Sequence, residues 1–163
     1  MARVPAATGA PPARIARLIR RSARAHGVDP ALLAAVVRAE SGFDPLAESP
    51  VGACGLLQLM PGRARAMGVD DPFDAEESLD AGARRLADCQ CAFGTDLPLV
   101  LAGFRLGPDA VERHGGVPAY SDLRAYLPKV MGYYDEFRAA GTFGAPAGPR
   151  NGSGVTTDGE GRC

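Results

Sequence analysis

The segment DPALLAAVVRAESGFDP (29–45) constrains the fold most, because it encodes one helix with both of its ends marked. Asp29 is a favoured N-cap residue, and Pro30 suits the first helical position. Gly42 follows directly after the apolar run. The apolar residues that share one helical face are spaced three and four positions apart: Leu33, Val36 and Val37. The spacing predicts a buried helix over about 29–41.

Glu40 is the unexpected residue of this helix, because it continues the apolar stripe three positions after Val37 and four after Val36. The helix dipole presents negative charge at a C-terminus, so an ionised carboxylate is unfavourable there. Burial and the dipole both favour the protonated acid and raise its pKa. A glutamate on a polar face would simply be solvated. On an apolar face, a protonated carboxyl is suited to general-acid catalysis.

A second carboxylate, which glycosidases ordinarily need, is not evident near Glu40. Asp44 and Glu48 lie close by in sequence, but neither shares its helical stripe, and we expect both to be solvated. A single-acid site remains possible if the substrate supplies its own nucleophile. The acid could then donate a proton to the leaving oxygen and later act as a base.

The remainder of the chain predicts an all-α domain over residues 13–138, because no segment shows the alternation of a strand. Residues 1–12 form a flexible lead, and residues 139–163 are expected to be a disordered Gly/Ser/Pro-rich tail. Residues 42–60 are expected to be irregular, with Gly52 and Gly55 permitting tight backbone paths. The further helices are expected at about 13–25, 62–67, 97–106, 108–114 and 119–138, with one more that starts at Asp74 or Ser78 and reaches about residue 93.

Composition narrows the class of function. The net charge is −1 and Trp is absent, which argues against a nucleic-acid partner. No run approaches the roughly 20 apolar residues of a membrane span, and no standard export signal is visible. The cysteines include no CxxC pair, so no metal site is expected. We expect thiols at Cys54, Cys89, Cys91 and Cys163, with disulfides as the alternative if the protein is exported.

Five blocks of sequence resemble the soluble lytic transglycosylase family, whose goose-type-lysozyme-like catalytic domain cleaves peptidoglycan. They occur in the family's order and spacing across about residues 14–135: VDPALLAAVVRAESGFDP (28–45), SPVGACGLLQLMP (49–61), GVDDPFDAEESLDAGARRL (68–86), GPDAVERHGGVPAY (107–120) and RAYLPKV (124–130). The first two blocks together are highly specific. The resemblance implies a lysozyme-like helical fold with an irregular active-site segment.

The resemblance also implies an activity. Glu40 matches the family's single acid/base, which protonates the bond between N-acetylmuramic acid (MurNAc) and N-acetylglucosamine (GlcNAc). It then deprotonates the muramoyl 6-hydroxyl, leaving a 1,6-anhydro sugar without water or a cofactor. Ser49, Gln58 and Met60 match cleft-lining positions, although Gln58 could instead stabilise its loop and Met60 could be core. A monomer acting on glycan strands in the cell envelope is expected.

The chain departs from the family pattern at residues expected on the other wall of the sugar cleft, across from Ser49, Gln58 and Met60. Phe104 stands where Tyr is usual, Arg105 where Asn is usual, and Arg85 where an aromatic is usual. Arg105 would lower the pKa of Glu40, point outward, or pair with peptide-stem carboxylates. Tyr126 is retained and either stacks on a sugar or packs in the core. Two alternatives to the transglycosylase therefore remain: an impaired glycan-binding member, and a hydrolase of the muramidase type.

Overall fold

The computed structural model describes residues 9–144. In this range the chain forms seven α-helices joined by short connections, and its only strand-like pairings are two isolated bridges. The helices are α1 (Ala13–His26), α2 (Pro30–Ser41), α3 (Pro61–Ala66), α4 (Ala75–Phe93), α5 (Leu97–Leu106), α6 (Pro108–His114) and α7 (Ser121–Ala139). The all-α prediction is confirmed, and the helix bounds agree with the sequence to within about two residues.

Helix α2 lies at the centre of the core. Six consecutive residues, Leu32 to Val37, are no more than 2% exposed. A helix that is apolar on all sides has to be covered on all sides, and α2 is packed against α1, α4 and α7. It begins at Asp29, whose carboxylate accepts a hydrogen bond from the Ala31 amide at 2.8 Å. It ends at Gly42, in the left-handed conformation with φ 62°.

Residues 42–60 form the predicted irregular segment. Glu48 pairs with Cys54, and Cys54 pairs with Leu59, in two antiparallel bridges. Gly55 has φ 71°, and a Cβ atom there would lie 1.9 Å from the carbonyl oxygen of Pro72. Only glycine fits both this backbone conformation and this close approach. The segment is thereby held against the loop that leads into α4.

The predicted boundary at residue 138 is too early. Helix α7 continues to Ala139, and Phe143 is only 9% exposed. The Phe143 ring packs edge-on against Phe137, with centroids 5.6 Å apart, and the Arg20 guanidinium lies 5.5 Å from its centroid. The Phe143 ring, a hydrogen bond from Arg20 to the Thr142 carbonyl at 3.3 Å and one from the Thr142 amide to the Phe137 carbonyl together hold residues 141–144 against the helices. The rest of the predicted tail, like most of the predicted lead, lies outside the described residues.

Two other expectations concern the membrane and the cysteines. None of the helices within residues 9–144 has the length and apolar character to cross a membrane. Cys54 and Cys89 are free thiols, as expected. The expectation is wrong for Cys91, which is disulfide-bonded, and Cys163 lies outside the described residues.

Candidate active site

Glu40 lies in the last turn of α2, just before the left-handed Gly42 that ends the helix. Its side chain is only 12% exposed. The two residues one turn earlier on the same face, Val36 and Val37, are fully buried. The periodicity that extends the apolar stripe to Glu40 therefore places its carboxyl group at the edge of the core, as the sequence predicts.

Arg105 is the hydrogen-bonding partner of Glu40. It lies near the end of α5, and its Nη1 donates to Glu40 Oε1 at 2.9 Å. Of the orientations left open by the sequence, the structure therefore has the arginine directed at the acid. The Arg105 side chain is 34% exposed, so the pair lies between the core and solvent.

Two opposing effects set the pKa of Glu40. Burial raises it, while the charge and hydrogen bond of Arg105 lower it, with smaller lowering contributions from the nearby Tyr126 hydroxyl and the Lys129 charge. Burial is the larger effect, so the pKa of Glu40 is raised above its usual value of 4.5. The expectation that Arg105 acts against the protonated acid is correct in direction. The net shift of the Glu40 pKa is nevertheless upward.

Tyr126, on α7, lies beside this pair. The Arg105 guanidinium lies 4.6 Å from the centroid of its ring, in a cation–π contact. The residue is 7% exposed, and its hydroxyl has no hydrogen-bond partner within residues 9–144. Burial and the nearby Glu40 carboxylate raise the pKa of this phenol well above its usual range. Tyr126 is thus largely a packed residue, and its unpaired hydroxyl is a polar group close to Glu40.

Two further arginines bind the carboxyl end of α5. Arg85 Nε donates to the carbonyl of Phe104 at 2.7 Å, and Arg63 Nη2 donates to the carbonyl of Arg105. The last carbonyls of a helix lack partners within the helix, and cations are favourable there. Arg63 and Arg85 therefore fix the backbone that carries Arg105.

Phe104 does not line the cleft as predicted. It is 4% exposed and belongs to the hydrophobic core. Its ring centroid lies 5.9 Å from the Arg85 guanidinium. Such a position leaves almost no surface for a ligand, so the expected substrate contact by Phe104 is not supported.

The charges at the rim of the site come from α7. Lys129 Nζ donates to the carbonyl of Ala39 at 3.0 Å, next to Glu40, and its charge helps to lower the pKa of Glu40. Asp122 Oδ2 lies 3.9 Å from Arg105 Nε, which is an ion pair without a hydrogen bond. Arg105 is therefore flanked by two carboxylates, one at the edge of the core and one exposed.

The predicted residues of the irregular segment make their hydrogen bonds within that segment. Ser49 Oγ accepts from the Ala53 amide at 3.0 Å. Gln58 Nε2 donates to the carbonyls of Ala47, at 3.1 Å, and Gly55, at 3.0 Å. The loop-stabilising interpretation of Gln58 is therefore supported, although its carbonyl oxygen remains available as an acceptor.

Met60 is 45% exposed at the N-cap position of α3. This exposure argues against the interpretation of Met60 as core. A thioether on the surface at this point is available as the adaptable apolar contact that the sequence predicts. Arg63, one turn further along α3, reaches the end of α5.

Sequence reasoning missed Arg63 and Lys129 as neighbours of Glu40. Both contacts join helices that are distant in sequence, and neither residue carries a local signal beyond its charge. Arg85 was noticed only as a departure from the family pattern. Two arginines, Arg85 and Arg105, occupy positions where the family has other residues. Their joint presence is the sequence signal that this side of the site differs from the family.

Comparison with known proteins gives a consistent family assignment. The family model described as the transglycosylase SLT domain matches residues 17–122. The membrane-bound lytic murein transglycosylase F of Desulfosudis oleivorans is 40% identical over 100 residues, which cover 58% of this chain and 22% of that protein. The protein of the same name from Salmonella typhi is 35% identical over 118 residues, covering 64% and 25% of the two chains.

Solved structures show the same fold. The 70-kDa soluble lytic transglycosylase of Escherichia coli superposes with a TM-score of 0.66 at 24% identity, covering 79% of this chain and 25% of that one. The lytic transglycosylase Slt of Pseudomonas aeruginosa, solved as an inactive glutamate-to-glutamine mutant, gives a TM-score of 0.65 at 23% identity, covering 80% and 25%. The chain therefore spans about a quarter of the length of these proteins.

Proposed function

Because the chain belongs to the family of transglycosylase SLT domains, we propose that it is a peptidoglycan lytic transglycosylase acting through Glu40. The observation that carries this proposal is the carboxyl group of Glu40, 12% exposed in the last turn of α2 with a raised pKa. A raised pKa shifts this group toward the protonated form that a general acid needs in order to give its proton to a leaving oxygen.

In the first step, Glu40 donates its proton to the oxygen of the β-1,4 bond between MurNAc and GlcNAc. The bond from the muramoyl C1 to that oxygen breaks, and GlcNAc leaves with a free 4-hydroxyl. Glu40 is then a carboxylate, and the Arg105 guanidinium at 2.9 Å is positioned to stabilise that charge.

In the second step, the Glu40 carboxylate accepts the proton of the muramoyl 6-hydroxyl while O6 bonds to C1. The product is a 1,6-anhydromuramoyl residue, and Glu40 regains its proton for the next cycle. The substrate supplies the nucleophile, so the chemistry needs neither water, a second carboxylate, a metal nor a cofactor. This suits a site in which Asp122 is largely exposed and is itself beside Arg105.

The irregular segment is proposed as the second wall of the glycan cleft. The Ser49 hydroxyl hydrogen and the Gln58 carbonyl oxygen remain available for sugar hydroxyls or acetamido groups. Met60 offers an exposed apolar contact. Tyr126 contributes mainly by supporting Arg105, and its hydroxyl is a further group that a bound sugar could satisfy.

The proposed substrate also implies a location and a partner. Peptidoglycan glycan strands lie in the cell envelope, so the domain is proposed to act there as a monomer. Two relatives are named membrane-bound lytic murein transglycosylases, which agrees with an envelope location for those proteins.

A second candidate function is supported by the Arg105–Glu40 pair. An arginine that holds Glu40 ionised would leave a glycan-binding protein with little turnover. Restoring the family residues with Arg105→Asn and Phe104→Tyr distinguishes the two functions. A large gain in activity supports the impaired binding protein, and little or no gain supports the enzyme.

Mass spectrometry of digested peptidoglycan tests the proposed function. Purified sacculi are incubated with the wild type and with Glu40→Gln, and the released muropeptides are compared. Muropeptides ending in 1,6-anhydromuramic acid with the wild type alone support the transglycosylase. Reducing-end products indicate the hydrolase instead, and retained glycan binding without products indicates the binding protein.

A further inference from the structure

We propose that Arg105 recognises a carboxylate on the muramoyl residue of the substrate through the donors that its contact with Glu40 leaves free. This inference rests on the proposed function, because it names a chemical feature of the same glycan. Arg105 is then a specificity-determining residue for an acidic glycan.

The geometry of Arg105 leaves it free to take a second acceptor. Only Nη1 is engaged with Glu40, whereas a guanidinium carries five N–H donors. The neighbouring Asp122 lies 3.9 Å from Nε, too far for a hydrogen bond. The Arg105 side chain is nearly three times as exposed as that of Glu40. The solvent-exposed guanidinium of Arg105 therefore has N–H donors left for a ligand.

The guanidinium is also held in place before any ligand binds. It rests over the ring of Tyr126 at 4.6 Å, and Arg63 binds the Arg105 carbonyl. A planar group that is already ordered loses little conformational freedom when it binds a carboxylate. The unpaired hydroxyl of Tyr126, on a residue 93% buried beside Glu40, is a second polar group at this site without a protein partner.

The balance of charge around the site favours an anion. Four basic side chains lie at this site, namely Arg105, Lys129, and the Arg63 and Arg85 that bind the end of α5, whereas within residues 9–144 the carboxylates beside Arg105 are those of Glu40 and Asp122. This local excess occurs on a chain whose net charge is −1. A neutral sugar polymer does not require a positively charged site, whereas an acidic glycan is attracted to one.

The substrate offers a matching group. MurNAc differs from GlcNAc by a 3-O-lactyl carboxyl, which is either free or joined to a peptide that carries carboxylates of its own. A guanidinium binds a carboxylate through two parallel hydrogen bonds. Arg105 can offer such a pair through its remaining donors while Nη1 keeps its contact with Glu40.

Calorimetric titration tests the recognition step directly. The full chain carrying Glu40→Gln, which does not cleave, is titrated with a peptide-free GlcNAc–MurNAc tetrasaccharide and with its lactyl methyl ester. We expect the free acid to bind at least about tenfold more tightly than the ester. Adding Arg105→Asn should abolish the difference. Adding Arg65→Asn, at an exposed arginine of α3, should preserve it.

The outcomes separate the inference from the proposed function. An acid-to-ester ratio unchanged by Arg105→Asn overturns the inference, even if the wild type releases anhydromuropeptides. Preferential binding of the acid through Arg105, without anhydromuropeptides from the wild type, supports the inference while the proposed enzyme fails. Absence of binding to any of these glycans contradicts both.

A peptide-bearing tetrasaccharide identifies the source of the carboxylate. If it binds as tightly as the free acid and depends on Arg105, the carboxylate belongs to the peptide. If it binds as weakly as the ester, the lactyl group is the ligand.

Discussion

Helix α2 carries a carboxylate at each end, and the two have closely similar neighbours. Asp29 precedes the first turn with Arg138 and Tyr134 beside it, and Glu40 lies in the last turn with Arg105 and Tyr126 beside it. The two side chains are also equally buried, at 13% and 12% exposure. The carboxylate group, the types of its partners and its burial therefore do not distinguish the two ends.

Hydrogen bonding and the helix dipole do distinguish them. Asp29 accepts from the Ala31 amide at 2.8 Å, the Tyr134 hydroxyl at 2.9 Å and Arg138 at 3.1 Å, at the positive end of the helix. In the described residues, Glu40 accepts one hydrogen bond, from Arg105, at the negative end. The first arrangement stabilises an ionised carboxylate and the helix, and the second leaves a carboxyl group able to gain and lose a proton.

Replacing Glu40 tests the largest difference between the two ends. Glu40→Gln should reduce the release of anhydromuropeptides by about 10²- to 10⁴-fold, the usual contribution of a general acid or base. Its thermal unfolding should stay close to that of the wild type, because the carboxyl group is poorly satisfied. Glu48→Gln, at an exposed carboxylate of the irregular segment, is the matched control and should retain activity.

Replacing Asp29 should have the opposite consequence. Asp29→Ala removes an N-cap and two further hydrogen bonds, so the free energy of unfolding should fall by about 2 kcal/mol. Denaturant titration measures this loss, and kcat below the melting temperature should be close to normal. Asp96 is the exposed N-cap of α5, and its carboxylate accepts one hydrogen bond, from the Leu99 amide. Asp96→Ala should therefore lower the free energy of unfolding by about 1 kcal/mol. Equal losses at the two caps would contradict the proposed role of Asp29.

Removing Arg105 should shift the pH dependence of cleavage. Glu40 has to be protonated to act as an acid, so activity is lost as the pH rises through its pKa. Arg105 lowers that pKa, and Arg105→Asn should therefore move the alkaline limb to higher pH. A pH–rate profile on the methyl-esterified glycan measures this effect without the proposed carboxylate contact. A limb that moves to lower pH would mean that Arg105 does not stabilise the ionised acid.

The two tyrosines provide the smallest and most closely matched comparison. Tyr134→Phe removes the hydrogen bond to Asp29 and should lower the free energy of unfolding by about 1 kcal/mol. Tyr126→Phe removes a buried hydroxyl that has no partner in the described residues, so stability should be unchanged or slightly higher. Parallel urea titrations measure both. A clear loss for Tyr126→Phe would indicate a hydrogen bond in solution.

The sequence was most informative where the signals are local. Asp29, Pro30 and Gly42 mark the ends of α2, and the apolar spacing places Glu40 at the edge of the core. The orientation of Arg105 could not be predicted, because it depends on how α5 packs beside α2 and α7. Phe143 was missed for a related reason, since its burial depends on contacts with distant helices and not on its Gly-rich surroundings.

The measurement that most directly tests the account is a titration of the Glu40 carboxyl by carbon-detected NMR. The central claim is that burial outweighs Arg105 and raises the pKa of Glu40, toward the protonated form that a general acid requires. The account predicts a pKa above the usual 4.5 in the wild type, and a still higher pKa in Arg105→Asn. A wild-type pKa at or below 4.5 would mean that the ion pair prevails, and would contradict the role of Glu40 as the general acid.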